Sequence, residues 1–227
     1  YLPSVLYIGE VGGILESVDL SSLGGIRDRA RLEVLYGCGL GVSEASALRI
    51  SNIFLDEGYV RILGKGNKER IVYLNDATAQ AINDYLIVRR DIAAIDRNAL
   101  FLSSRRTRIT REALHAMVKK SLLRAGLDAD KYSAHKLRHT AATLMLSNGV
   151  DVRTLQELLG HENLNTTQCY TQVDNSELRI AARANCMTRT GLSARRLRKL
   201  KKDTENSIFV LTKQKRETIM SKRGADT

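Results

Sequence analysis

Residues 133–170 read SAHKLRHTAATLMLSNGVDVRTLQELLGHENLNTTQCY, and they combine helix signals with an unusual set of polar side chains. Apolar residues recur at i, i+4, i+7 and i+8, as along the buried side of an amphipathic helix: Leu137, Ala141, Leu144 and Met145. His135 and Arg138 are three residues apart, so one face of the same helix can present both. We expect this helix to point both side chains away from the core.

A second helix follows within the same stretch. Asp151 is a typical N-cap residue, and Gly160 is a typical residue for ending a helix at Leu159. His161 would then stand just past a helix end, with Tyr170 nine residues further along. Two imidazoles, a guanidinium and a phenol on rigid supports indicate phosphate chemistry with a tyrosine nucleophile.

Each of these residues also has an ordinary explanation when taken alone. A lone tyrosine packs on a surface, a histidine after a glycine caps a helix, and a helical arginine is solvated. Their order and spacing, however, resemble the signature of the tyrosine recombinase (integrase) family, which is His-x-x-Arg-His, then Leu-Gly-His, then Tyr. In this sequence the signature corresponds to residues 135–139, residues 159–161 and Tyr170. The likeness covers roughly residues 1–180, and within the family the chain resembles the Xer recombinases of bacteria and archaea.

The resemblance implies a role for each signature residue in DNA strand transfer. Tyr170 would be the nucleophile and form a 3′-phosphotyrosyl link. Arg138 would clamp the non-bridging phosphate oxygens, a task that suits a planar guanidinium. His135 would act as base or proton relay, and His161 would donate to the phosphate. Lys65 lies in a Gly-Lys-Gly-Asn-Lys-Glu-Arg context at residues 64–70 that is similar to the Xer pattern, and it would be the general acid.

The same resemblance predicts the partners. We expect four further residues to contact DNA: Lys68, Arg70, Lys136 and His139. The partner would be double-stranded DNA, on which the protein would assemble as a homo-oligomer, a tetrameric synapse. No cofactor and no metal are expected, because the phosphotyrosine conserves the energy of the broken bond.

Two positions depart from the family pattern. The family places its first catalytic arginine in Gly-Leu-Arg-x-Ser-Glu, whereas residues 39–44 here read Gly-Leu-Gly-Val-Ser-Glu. With glycine at position 41, the site lacks one of the two arginines that clamp the phosphate in the family. Glu44, which braces this site in the family, is retained. Ala134 stands where the family often has proline. The sequence is compatible with either a deliberate replacement or a recent mutation at position 41.

The charge distribution divides the chain into two parts. The net charge is +11, of which residues 187–227 contribute +8 and residues 1–186 contribute +3. We expect a catalytic domain over residues 1–186, and a basic tail over residues 187–227 that is either partly disordered or a DNA-contacting arm. The chain begins without Met, which suggests a fragment that lacks the family's N-terminal DNA-clamping domain.

The cellular location is predicted from what the sequence lacks. It has no long apolar run and no secretory signal pattern, and its three cysteines have no metal-ligand spacing. We expect reduced thiols in a cytoplasmic, nucleoid-associated protein with no membrane partner.

Periodicity predicts a mainly α fold with a small antiparallel β-hairpin sheet. Helices are expected over residues 22–38, 42–48 and 110–125, and another is expected to run from a cap at Asp76 to about residue 90. Strands are expected within residues 51–74, around a turn at residues 64–68.

Three functions remain open at this stage. The first is a recombinase catalytic domain impaired at Gly41. The second is a DNA-binding module of the same fold that does not cut, which Gly41 favours and the retained Tyr170 disfavours. The third is a type IB topoisomerase, which shares the nucleophile chemistry but acts alone. A helix after Tyr170 that is suited to exchange between protomers favours the first.

Overall fold

The structure is a computed structural model, and it describes residues 6–64 and 69–160. It confirms a mainly helical fold with one small antiparallel sheet. The elements in chain order are α1 (Ile8–Glu16), α2 (Leu23–Gly37), α3 (Val42–Ala47), β1 (Ile53–Phe54), β2 (Tyr59–Leu63), β3 (Glu69–Tyr73), α4 (Asp76–Arg89), α5 (Arg111–Arg124), α6 (Ala134–Ser147) and α7 (Val152–Leu159).

The sheet has the order β1-β2-β3, with both pairs antiparallel. Strand β1 was not separately predicted, because two residues are too short to show an alternating pattern. In the β2–β3 ladder Val60 pairs with Val72 and Ile62 pairs with Arg70. Alternate residues of a strand face the same side, so these four side chains share the inner face of the sheet. Val60, Ile62 and Val72 are each about 1% exposed.

The helix starts follow from capping side chains. Ser22, Asn75, Thr110 and Asp151 each accept a hydrogen bond from a backbone N–H in the first turn of the helix that follows. One expectation is corrected: the cap of α4 is Asn75 and not Asp76. The Asn75 side chain accepts from the Thr78 N–H at 2.8 Å, which makes Asp76 the first helical residue, where its charge favours the helix dipole.

Helix α2 lies at the centre of the main core. Its residues from Ala30 to Gly37 are all buried, and it packs against α1, α3, α4 and α6. A smaller apolar cluster joins α6 to α7 and consists of Met145, Val150, Leu155, Leu158 and Leu159. The predicted stripe of α6 is confirmed, since Leu137, Ala141 and Met145 are almost fully buried.

Helix α3 carries Gly41 and Glu44 at its N-terminal end, and Arg108 holds its opposite end. The Arg108 guanidinium donates to the carbonyls of Ala47 at 2.8 Å and Leu48 at 3.1 Å, and it also pairs with Asp96 at 3.1 Å. These carbonyls have no intrahelical partner at a helix end. A short helix that would be marginal alone is thereby fixed in place.

Within residues 6–64 and 69–160, no helix is long and apolar enough to cross a membrane. Over the same residues, no three side chains of the metal-ligating types come together as a metal site would need.

Candidate active site

Glu44 joins two arginines that are far apart in the sequence. Its Oε2 lies 3.2 Å from Nη1 of Arg138, and its Oε1 lies 2.6 Å from Nη1 of Arg70. The same carboxylate accepts a hydrogen bond from the backbone N–H of Gly41 at 3.0 Å. One carboxylate therefore connects α3, α6 and β3, and it offsets one of the two guanidinium charges beside it.

Arg138 and Arg70 also meet at the C-terminus of α7. Arg138 Nη2 donates to the carbonyl of Leu159, and Arg70 Nε donates to the carbonyl of Leu158 at 3.0 Å. Cations are favoured at this end of a helix because its last carbonyls carry partial negative charge. Helix α7 thus ends at Leu159, with its last two carbonyls bound to the two guanidiniums, and Gly160 follows.

The Arg138 side chain differs from the expectation that it points away from the core. It is only 14% exposed and turns towards Glu44 and α7, whereas His135 on the same helix is exposed. The reason is Glu44, a charged partner that apolar periodicity cannot reveal. Burial lowers the pKa of Arg138, Glu44 opposes this, and nearby Arg70 adds to the lowering.

The pKa of Glu44 lies below its ordinary value despite burial. Burial alone would raise the pKa, but the hydrogen bond and charge of Arg70, the Gly41 N–H and the charge of Arg138 together outweigh it. Glu44 is therefore ionised at neutral pH and acts as the shared counter-ion of two cations.

Gly41 is the N-cap of α3, with extended backbone angles of φ −70° and ψ 155°. A Cβ atom placed on it would lie 3.5 Å from both Arg138 Nη1 and Glu44 Oε2, which is ordinary van der Waals contact. A side chain at position 41 would thus start directly beside this pair. The structure places Gly41 next to Glu44 and Arg138, as the sequence pattern predicts.

His135 and His139 form a pair on the exposed side of α6. Their Nε2 atoms are 2.9 Å apart, and the rings meet edge to face with centroids 4.4 Å apart. This hydrogen bond requires one Nε2 to carry a proton and the other to accept it. Lys136, between them in sequence, is half-buried.

Four of the predicted site residues lie outside the described part of the chain: Lys65, Lys68, His161 and Tyr170. The described residues reach Gly64 and Glu69 on either side of the two lysines, and Gly160 just before His161. Strands β2 and β3 pair as far as Leu63 and Glu69, on either side of residues 65–68. Gly160 ends α7 with a left-handed φ of 68°, as predicted.

Arg70 is the residue whose contacts the sequence reasoning missed. It was expected to contact DNA, yet its side chain is 15% exposed and its guanidinium bonds to Glu44 and α7. The strand pattern signals only its inward orientation, because Arg70 is two residues from Val72 and so shares its buried face.

Comparisons with known proteins place the chain among a family of similar proteins. The sequence profile of the Phage integrase family matches residues 5–177. Tyrosine recombinase XerC of Caldanaerobacter subterraneus subsp. tengcongensis is 51% identical over 160 residues, which are 70% of this chain and 45% of that protein. Tyrosine recombinase XerD of Staphylococcus saprophyticus subsp. saprophyticus is 39% identical over 180 residues, covering 78% of this chain and 61% of that protein. The chain therefore spans about half of the length of these relatives.

Two solved structures are similar over most of the chain. The crystal structure of XerA recombinase matches with a TM-score of 0.64 at 33% identity, covering 79% of this chain and 64% of that one. The pre-cleavage complex of XerH recombinase bound to its difH substrate matches with a TM-score of 0.64 at 31% identity, covering 72% of this chain and 49% of that one.

Proposed function

The chain belongs to the phage integrase family of tyrosine recombinases, and from this membership we propose that it is the catalytic domain of a site-specific DNA recombinase. It cuts and rejoins double-stranded DNA through a 3′-phosphotyrosine at Tyr170. Its partners are DNA and further copies of the same chain, assembled as a tetrameric synapse. It works on DNA in the cytoplasm, associated with the nucleoid, and needs no cofactor or metal.

The observation that supports this most is the meeting of Arg138, Arg70 and the Gly41 N–H at Glu44. Arg138 lies 94 residues from Glu44 in sequence, yet it contacts Glu44 and the carbonyl of Leu159, two residues before His161. These two hydrogen bonds use two of the five N–H donors of a guanidinium. A phosphate beside Arg138 would thus meet a cation whose orientation is already fixed, as transition-state stabilisation requires.

We assign Tyr170 as nucleophile, Arg138 as phosphate clamp, His135 as base or relay, His161 as phosphate donor and Lys65 as general acid. The general acid protonates the leaving 5′ oxygen while the phenol proton passes to the base. Lys68, Lys136 and His139 belong to the DNA-contacting surface. The catalytic domain extends over residues 1–186, and the basic tail over residues 187–227 adds sequence-independent affinity.

Charge balance supports an impaired reaction in the chain as given. Within the described cluster Arg70 and Arg138 together exceed Glu44 by one positive charge, which equals the single negative charge on the non-bridging oxygens of a phosphodiester, whereas the proposed Lys65 acts at the leaving 5′ oxygen. A second negative charge develops on the phosphate oxygens as the tyrosine attacks, and an arginine at position 41 would offset it. Without that arginine the ground state is still bound, but the transition state is less stabilised.

A DNA-binding module that does not cut is the second candidate, and Gly41 is the observation that favours it. No contact in the described part of the chain favours a type IB topoisomerase. The similar proteins reported above are named recombinases.

The test is covalent capture on a nicked suicide duplex, followed by denaturing electrophoresis. One duplex carries the difH sequence, and a pool carries random core sequences. We expect slow formation of a protein–DNA adduct by the chain as given, faster formation by Gly41→Arg, and none by Tyr170→Phe in either background. Exchanged products with a second site separate a recombinase from a topoisomerase. DNA binding with no adduct from Gly41→Arg would support the non-cutting module instead.

A further inference from the structure

Arg70 connects strand β3 to two other parts of the candidate site, Glu44 on α3 and the C-terminal end of α7. Its Nη1 binds Glu44 Oε1 at 2.6 Å, and its Nε binds the carbonyl of Leu158 at 3.0 Å. We propose that Arg70 is a positioning residue. It fixes Glu44 and the end of α7 in the relative position that the reaction needs, and it does not itself contact DNA. This inference rests on the recombinase function proposed above.

The direction of the Arg70 side chain follows from strand register. Arg70 pairs with Ile62 on the inner face of the sheet. Arg61, the residue before Ile62 on β2, faces the other side. The exposed fractions agree, since the Arg70 side chain is 15% exposed and the Arg61 side chain is 43% exposed. A guanidinium that is turned inward by the sheet and bound to a carboxylate is poorly placed to reach a phosphate of the duplex backbone.

Each segment that Arg70 touches leads to a predicted catalytic residue. Glu44 adjoins position 41 and Arg138. Leu158 lies three residues before His161. Arg70 itself is on β3, five residues after Lys65. A shift of the guanidinium would therefore change the spacing between groups that must act together, and misplacement by about 1 Å can reduce a rate about 10²-fold.

The packing around Arg70 leaves its guanidinium little freedom. A Cβ atom on Gly160 would lie 3.0 Å from Nη1 and 3.1 Å from Cζ of Arg70, so the guanidinium lies directly against the turn at the end of α7. Nη2 is buried and has no hydrogen-bond partner in the described part of the chain.

Lysine could not perform this task. Its ammonium is a single point donor on a flexible stem, whereas the planar guanidinium donates in two fixed directions at once. A lysine at position 70 would keep the positive charge but could not hold both Glu44 and the Leu158 carbonyl in the same geometry.

The experiment uses the full chain with Gly41→Arg as parent, so that cleavage is fast enough to measure. Arg70→Gln and Arg70→Lys are compared with the control Arg61→Gln, which removes a positive charge from the exposed side of the same sheet. The single-turnover rate of adduct formation is measured with saturating suicide duplex, at a temperature where circular dichroism shows each variant folded. Affinity for the duplex is measured at several salt concentrations.

We expect both Arg70 variants to lower the saturated rate about 10- to 100-fold, with affinity and its salt dependence close to the parent's. Arg61→Gln leaves the saturated rate unchanged. Arg70→Gln combined with Glu44→Gln should slow the reaction by less than the product of the two single effects, because the two variants remove one shared contact.

Three results would overturn the inference. An unchanged saturated rate in folded Arg70→Gln would leave Arg70 with a stabilising role only. Weaker binding with a salt slope reduced by about 0.9, the contribution of one phosphate, would make Arg70 a DNA contact. Full rescue by Arg70→Lys would show that charge alone is needed. If the parent forms no adduct that depends on Tyr170, the proposed function fails first, and the Arg70 inference fails with it.

Discussion

Nη1 of Arg138 lies 3.2 Å from Oε2 of Glu44, although 94 residues separate them in sequence. The other Glu44 oxygen lies 2.6 Å from Arg70. The side chains of Glu44, Arg70 and Arg138 are each between 14% and 18% exposed, so water screens the cluster only in part. The stability and the proposed chemistry of the site both depend on this shared carboxylate.

Glu44→Gln should lower the free energy of unfolding by about 1–3 kcal/mol, because two adjacent guanidiniums lose their common counter-charge. Urea denaturation at neutral pH measures the change. Glu69→Gln is the control, since Glu69 is 61% exposed and lies 3.8 Å from Arg61. Removing that exposed pair should change stability by no more than about 0.5 kcal/mol. Equal losses in the two variants would show that Glu44 is no more than a surface charge.

The pH dependence of stability should report on the same carboxylate. The pKa of Glu44 is lowered in the folded protein, so its ionised form stabilises the fold above the ordinary pKa of about 4.3. This contribution is lost as the pH falls through the lowered pKa. The stability difference between the parent and Glu44→Gln should therefore be constant from pH 7 to about 5 and shrink below about 4. A difference that shrinks already between pH 7 and 5 would mean that the folded-state pKa is raised instead.

The fold could be predicted from the sequence to a large extent because it depends on local signals. Capping residues and apolar periodicity placed α2, α3, α5 and α7 within one or two residues of their observed bounds, and the apolar stripe identified α6 without fixing its ends. The cap of α4 was missed by one residue because Asn75 and Asp76 are both good caps and only the buried Asn75 faces the first-turn N–H.

The site was less accessible to sequence reasoning because its contacts are non-local. The resemblance singled out Gly41, Glu44 and Arg138, and the structure brings these three residues together. The inward orientation of Arg138 and the contacts of Arg70 depend on where α7 ends relative to β3, and no local pattern specifies that. The roles of Lys65, His161 and Tyr170 remain predictions, since these residues lie outside those the structure describes.

Gly160→Ala should test the close packing between α7 and Arg70. Gly126→Ala is a matched control, because Gly126 has a φ of 73° against 68° for Gly160 but no atom within 4 Å of its built Cβ. Both variants should lose about 1 kcal/mol from the left-handed backbone, and Gly160→Ala should lose about 1 kcal/mol more from displacing the guanidinium. Thermal or urea unfolding measures both.

The additional loss should disappear when Gly160→Ala is combined with Arg70→Ala, since the colliding group is then gone. If Gly160→Ala and Gly126→Ala are equally destabilising, the Arg70 guanidinium moves aside freely and does not constrain the end of α7.

Lys65→Ala should slow cleavage far more than it weakens DNA binding. A general acid acts in the transition state and typically contributes about 10²–10⁴-fold to the rate, whereas one phosphate contact among many adds little affinity. The measurement compares adduct formation and duplex affinity in the Gly41→Arg background. Lys68→Ala is the matched control from the same connection, and it should affect binding and not the saturated rate. Equal losses in binding and cleavage for Lys65→Ala would show that Lys65 only contacts the DNA backbone and is not the general acid.

Gly41→Arg should increase the rate of phosphotyrosine formation about 10²–10³-fold, the usual effect of one preorganised donor at a developing oxyanion. The backbone admits the change, because a Cβ at position 41 would meet Arg138 and Glu44 at 3.5 Å and the extended N-cap angles are open to any residue. Affinity should change much less, since Lys and Arg contacts elsewhere provide most of it.

Gly41→Lys and Gly41→Ala are the matched controls for this change. Lysine adds a point charge without the two-directional donors of arginine, so it should restore the reaction only in part. Alanine should not restore it. Because position 41 is the N-cap of α3 and not a helical position, Gly41→Ala should not stabilise the helix and should cost a few tenths of a kcal/mol or more. Stability and rate therefore move independently across the series. Should the chain as given form the adduct as fast as Gly41→Arg, another cation supplies the missing charge, and Arg70, bound to the same carboxylate, would be the side chain to test for that role.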